Sequence, residues 1–179
     1  MTRSRKVGLV LLAPDVEIDR VVAVLRRRPK TDVEASNFPE SWNGACRVIC
    51  QGEVGDEEDD LDALQRIVST QIGQSAVRDI FCPIPLDWLS GNSNESEVVL
   101  FYGIYVQSPD FLKRLYKNNS AHLRGELKLL RQDEIGNLRD SEELGADPFE
   151  VSGTRGIIVM SSYEAEAVRF AFQNLVKTN

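Results

Sequence analysis

GEVGDEEDDLDALQRIVSTQIG, residues 52 to 73, joins an acidic loop to an amphipathic helix. Glu53, Asp56, Glu57, Glu58, Asp59 and Asp60 crowd its first part. Leu61, Leu64, Val68 and Ile72 then follow at steps of three and four, the spacing that puts side chains on one side of an α-helix. Asp59, Asp60 and Asp62 fall at the helix start, where the aligned peptide dipoles favour negative charge. Gly73 is the residue type that commonly ends a helix. Ile67 lies off the centre of the apolar stripe. Four positions stand at fixed intervals: Gly52, Glu58 after five residues, Arg66 after seven more, and Gly73 after a further six.

That frame resembles the Nudix box, Gly-x5-Glu-x7-Arg-Glu-U-x-Glu-Glu-x-Gly, with U an aliphatic residue. The flanks agree in several places. Phe38-Pro-Glu-Ser-Trp42 is similar to the proline and tryptophan that precede the box in many of these chains. Val48 to Gln51 occupies the strand leading into the glycine, and Val54, Asp62 and Ala63 match common residue types. Lys6–Leu12 and Val21–Arg28 resemble the first strand and the aliphatic-then-basic second strand, and Glu126–Ile135 the late strand and the helix start after it.

Nudix enzymes hydrolyse a nucleoside diphosphate linked to another group, and the resemblance implies a loop-helix-loop whose glutamates hold magnesium against the pyrophosphate. In this chain those three glutamate positions are Ile67, Thr70 and Gln71. Magnesium is a hard ion that takes oxygen ligands, chiefly carboxylates, water and substrate phosphate. It clamps phosphoryl oxygens and orients the attacking water. Isoleucine offers no oxygen, threonine a neutral hydroxyl and glutamine only a dipole, so metal-dependent hydrolysis from this helix is not expected. An isoleucine at position 67 points instead to an apolar or occluded pocket. The resemblance also implies a structural Arg66 that ties the loop to the helix.

Composition narrows the reading further. A chain of 179 residues with 42% hydrophobic content is long enough to bury a full core as one domain. A net charge of −7 argues against a nucleic-acid surface, which needs clustered positive charge. The basic runs Arg3–Lys6 and Arg26–Lys30 are short and read as solvated strand ends. No segment approaches the length needed to cross a bilayer, and Val7–Ala13 reads as a strand rather than a signal peptide. Three cysteines without a secretory signal point to reduced thiols and a cytoplasmic setting. Cys46 and Cys50, four apart in one strand, are expected on one face roughly 13 Å apart, too far for a disulfide. Zinc on these thiols and His122 is not expected.

Along the rest of the chain, Lys6–Leu12 and Val21–Arg27 read as strands around a Pro14-Asp15 turn, and Cys46–Cys50 as one short strand. Ile80–Ile84, Val98–Val106, Glu126–Leu130 and Gly156–Met160 are further expected strands. Ser108–Asn119 reads as a short helix, Asp133 as the start of a brief one, and Arg139–Pro148 as an acidic, irregular connection. His122 falls in a polar run expected to be loop. Ser161 and Glu164 have capping-box spacing, opening a terminal helix with Ala167, Phe170, Ala171 and Leu175 inward.

Glu57 and Glu58, within the acidic cluster, are the residual candidates for a cation, although a solvated loop explains the cluster as well. Glu126 and Glu134 are downstream carboxylates with nothing to fix them near the box. Trp42 is a candidate for stacking on a ligand, with rim or core packing as the plainer role. Trp88, Tyr102 and Tyr105 read as core residues of strands. No nucleophile triad, phosphate-binding loop or dinucleotide fingerprint is present.

The expected fold is therefore an α/β/α sandwich of Nudix type, a single domain over residues 1–179 with a mixed sheet between the box helix and the terminal helix. The expected function is that of a catalytically silent Nudix-like domain that binds a protein or a nucleotide-like small molecule and needs no cofactor. A second copy of the chain is among the partners this admits, and no membrane is. The alternative is a divergent hydrolase that cleaves a nucleotide-linked diphosphate with magnesium. Enzyme status stays open between the two, with the balance against it.

Overall fold

The computed structural model describes residues 4–27, 46–80, 82–90, 97–122, 126–140 and 158–176. Trp42 and most of the 139–148 connection lie outside them. In chain order the elements are β1 (Ser4–Asp15), β2 (Arg20–Arg27), β3 (Cys46–Val48), β4 (Cys50–Glu53), α1 (Asp60–Gln71), α2 (Gln74–Val77), β5 (Ile84–Ser90) and β6 (Glu97–Tyr105). There follow α3 (Phe111–His122), β7 (Glu126–Arg131), a 3-10 turn (Gln132–Asn137), β8 (Leu138–Asp140), β9 (Ile158–Met160) and α4 (Ser162–Leu175).

β1 organises the mixed sheet. It pairs antiparallel with β4 through its first half and with β2 through its second, and parallel with β6 along its other edge. β2 carries β3 and β7, and β5 closes the far side against β6. β8 and β9 form a separate parallel pair. From Val7 to Ala13 β1 is buried on both faces, so its sequence is a continuous apolar run rather than an alternation.

Odd-numbered β1 residues such as Leu9 and Leu11 face a core shared with Leu64 and Val68 of α1 and Phe111 and Leu115 of α3. Even-numbered Val10 and Leu12 face a second core with Phe101 of β6 and Ala165, Val168 and Phe172 of α4. The box helix and the terminal helix thus cover opposite faces of the sheet, giving the expected α/β sandwich. Each fully buried leucine or phenylalanine contributes roughly 1.5–3 kcal/mol through removal from water. Among the described residues no helix is long and apolar enough to cross a membrane.

Several local expectations are corrected. Cys46–Cys50 is two strand pieces broken at Ile49. The extra residue turns Cys46 toward the α4 core and Cys50 toward the α1 core, so the two thiols lie on opposite faces. Both are pushed up by burial, to about 11 for Cys46 and about 12 for Cys50, and stay neutral thiols. The strand expected over Ile80–Ile84 begins only at Ile84, after Cys82 takes a left-handed backbone with φ 51°. His122 ends α3 rather than sitting in a loop, and Arg139 and Asp140 belong to β8 rather than to an irregular connection.

In α1 the inward face is Ala63, Leu64, Ile67 and Val68, whereas Leu61 is 46% exposed in the first turn beside the acidic loop. In α4, Phe170 and Leu175 are half-buried, while Ala165, Val168 and Phe172 take the fully inward places. Ser161 is the N-cap residue of α4, but the capping box does not form. Glu164 turns into the core instead, accepting from the Val48 N–H at 3.1 Å and from the Ser161 hydroxyl at 2.6 Å.

Candidate functional site

The 52–73 segment forms a strand end, a loop and a helix. Asp59 caps α1, its carboxylate accepting from the Leu61 and Asp62 N–H groups at 2.9 and 2.8 Å. At the other end Ile72 and Gly73 both donate to the Val68 carbonyl, at 2.9 and 3.1 Å. Gly73 does so with φ 121°, a backbone that side chains with a Cβ rarely adopt.

Glu58 lies one residue before the cap, folded back so that its Oε2 accepts from the Gly55 N–H at 3.0 Å. The Arg66 guanidinium then meets that carboxylate side-on, Nε to Oε1 at 2.8 Å and Nη2 to Oε2 at 2.7 Å, and also donates to the Glu53 carbonyl at 2.8 Å. Arg5 braces the same loop from β1, through Asp60 at 2.7 Å and the Glu58 carbonyl at 3.3 Å. The Arg66 hydrogen bonds, the Gly55 N–H and the Arg66 charge together hold the Glu58 carboxyl down at about 2.

The remaining box positions are also engaged inside the domain. Ile67 is 3% exposed and packs on Gly52 so tightly that a Cβ there would lie 2.9 Å from its Cδ1. The Thr70 hydroxyl donates to the Arg66 carbonyl at 2.7 Å, one helical turn back. Gln71 donates from Nε2 to the Gln51 carbonyl at 2.9 Å and accepts the Gln51 N–H at a longer 3.4 Å.

These residues do not fit magnesium. The ion requires several oxygen donors near octahedral geometry, whereas one of the three positions is a buried hydrocarbon and the other two spend their polar atoms on backbone. Glu58 has both oxygens occupied by Arg66, and Glu57 is exposed. Among the described residues no group of three His, Cys, Asp or Glu side chains comes together to hold an ion.

Glu134 is tied to Arg131, whose backbone N–H and Nη2 donate to it at 3.1 and 2.8 Å. Tyr102, 8% exposed, packs in the core with α1, and its hydroxyl is raised first by burial and then by Asp60 and Asp59. Tyr105 is half-buried against the opposite core. The Gln71–Gln51 contact has no counterpart in the sequence pattern, because its partners are 20 residues apart and one of them is backbone.

Loss of the Arg66 fork has a local expected effect. Arg66→Lys keeps the charge but cannot engage carboxylate and carbonyl at once in a planar fork. Amide exchange at Gly55 and proteolysis within residues 53–58 should both accelerate, with the melting temperature falling by only about 2 °C because the pair faces solvent. The depressed Glu58 carboxyl contributes stability above its ordinary value of 4.5, which is lost as pH falls toward about 2. Arg66→Lys should therefore flatten the acid limb of the unfolding profile.

No protein-family model matches the chain, and no curated protein does. Solved structures do. A MutT/Nudix family protein from Listeria innocua superposes with a TM-score of 0.54 at 15% identity, over 75% of this chain and 82% of that one. A MutT/Nudix family protein from Enterococcus faecalis gives 0.56 at 14% identity, over 97% of this chain and 62% of that one. The Nudix domain of Shewanella oneidensis NrtR, solved with ADP-ribose, gives 0.56 at 11% identity, over 98% and 90%. At these identities the likeness is one of fold, and the fold is that of Nudix proteins.

Proposed function

We propose that this Nudix-fold chain binds its ligand without hydrolysing it, the bound species being a protein or a nucleotide-like small molecule and the setting the cytoplasm. One observation carries the reading. Each box position that would present oxygen to a cation is committed to packing or hydrogen bonding within the domain: Ile67 on Gly52, Thr70 on Arg66, Gln71 on Gln51 and Glu58 on Arg66. Catalysis by a bound metal needs an open coordination position and fixed ligands, and this arrangement supplies neither. Binding needs no such cluster, and the Shewanella NrtR domain, described with ADP-ribose, makes a nucleotide-linked diphosphate the first probe.

The test pairs calorimetry with product analysis. ADP-ribose and a panel of nucleoside-diphosphate derivatives are titrated with and without magnesium, and the mixtures are then assayed for cleavage. The expected result is intact ligand at the end and no magnesium-dependent change in affinity or melting temperature. Magnesium-dependent cleavage of any panel member, abolished by Glu58→Gln, would replace this reading with the hydrolase alternative.

A further inference from the structure

Among the described residues β4 has one strand neighbour, β1. Gly52 stands opposite Val7 in that ladder, and just beyond it the Val54 N–H donates to the Arg5 carbonyl at 2.9 Å. By the alternation of an antiparallel pair, the peptide groups of Gln51 and Glu53 face the other way, along the edge β1 leaves open. An open edge is a template for another strand. Here α1 lies beside it and answers the two edge-facing residues, Gln71 at Gln51 and Arg66 at Glu53, while Ile67 packs over the sheet face at Gly52 between them.

We propose that α1 acts as a substitute strand for β4, with Gln71 as the residue that fixes the joint, so that the loop-helix-loop holds its shape without a divalent cation and offers none a seat. The chemistry favours glutamine at this position. A primary amide presents a donor and an acceptor side by side, as a peptide group does, and so answers both the carbonyl and the N–H of Gln51. A carboxylate has acceptors only and would set a negative oxygen against the Gln51 carbonyl. Arg66 supplies donors alone, which suits the Glu53 carbonyl it meets. The joint also bars any partner strand from the β4 edge. It holds whether or not the domain binds a nucleotide, so its tests involve neither ligand nor activity.

Two variants test it. In Gln71→Ala, hydrogen exchange at the Gln51 amide should accelerate at least about tenfold, while the β1 amides keep their protection. Unchanged exchange at Gln51 overturns the proposal. In Gln71→Glu, the melting temperature near neutral pH should fall by about 5 °C. It should recover below about pH 4, where a protonated carboxyl again offers one donor and one acceptor. The charged groups of the neighbouring elements, Arg5 and Lys6 on β1, Glu53 on β4, Asp60, Asp62 and Arg66 on α1, Glu58 in the loop and Arg78 after α2, are common to both variants. Their titration cancels when Gln71→Glu is compared with Gln71→Ala. Millimolar magnesium chloride should leave both melting curves where they are. Wild-type stability of Gln71→Glu at neutral pH, or its stabilisation by magnesium, overturns the proposal. Should Gln71→Glu fail to fold, exchange in Gln71→Ala decides alone.

Discussion

Ile67→Glu is expected to lose about 3–5 kcal/mol of folding stability, a large share of the roughly 5–15 kcal/mol that holds an ordinary domain folded. The side chain is 3% exposed, sits in the core between α1 and β1, and rests on Gly52 with no room for even a methyl group between them. A carboxylate placed there must either ionise without a partner or take a proton, and both routes oppose folding. Ile67→Val, which removes one methylene and no more, should cost only about 0.5–1.5 kcal/mol. Urea unfolding of the two variants distinguishes burial from a general intolerance of change. A wild-type midpoint for Ile67→Glu would mean that this side chain faces a pocket rather than the core. The same logic extends to restoring all three box glutamates together, at Ile67, Thr70 and Gln71. That protein should inherit the loss, with no recovery in magnesium, because the space a metal site needs is already filled.

The architecture was legible because it rests on patterns that survive without neighbours. The unbroken apolar run of β1 marks a strand covered on both faces, and the spacing of Gly52, Glu58, Arg66 and Gly73 marks the loop and helix. Errors gathered where a distant group decides the local outcome. Leu61 matches the helical stripe, but it lies in the first turn, beside a loop gathered by Arg5 and Arg66, and stays exposed. Ala63 and Ile67 join Leu64 and Val68 on the inward face, although one is small and the other lies off the expected stripe. The Glu58–Arg66 fork spans eight residues, more than a helical side-chain pair allows, and forms because Glu58 precedes the helix and folds back on Gly55. Ile49 reads as one more β-branched strand residue, yet the strand is interrupted there and the flanking cysteines go to different cores. Gln71 has no signal at all in a one-dimensional reading, since its partner is a peptide group on another element.

Glu164 shows the same limit with larger energetic consequences. Its spacing from Ser161 suits a capping box, but the Val48 N–H, from a residue 116 positions away, takes its carboxyl instead. It is the one buried charged residue among the described residues, 1% exposed. Burial raises its carboxyl above the ordinary range, against the opposing pull of Arg47, the hydrogen bonds from Ser161 and Val48, and Arg26. For a group whose proton is held more tightly in the folded state, the stabilising contribution is complete below the unfolded value. It is lost as pH rises through the folded one. This is opposite in sign to the Glu58 effect and lies in a higher pH window, so the two separate in one titration. Glu164→Gln keeps an acceptor for Val48 and removes the charge, and should abolish this decline with rising pH while preserving the fold. Glu164→Ala leaves the Val48 N–H buried without its partner and opens a void between α4 and β3, at an expected cost of about 2–4 kcal/mol at low pH that narrows as pH rises, because only the wild type carries the titrating group. Urea midpoints for the three proteins, measured from mildly acidic to mildly alkaline buffer, read both effects. A wild-type pH slope retained in Glu164→Gln would assign the decline to another group, and a wild-type midpoint in Glu164→Ala would mean that α4 does not depend on this bond for its seat on the sheet.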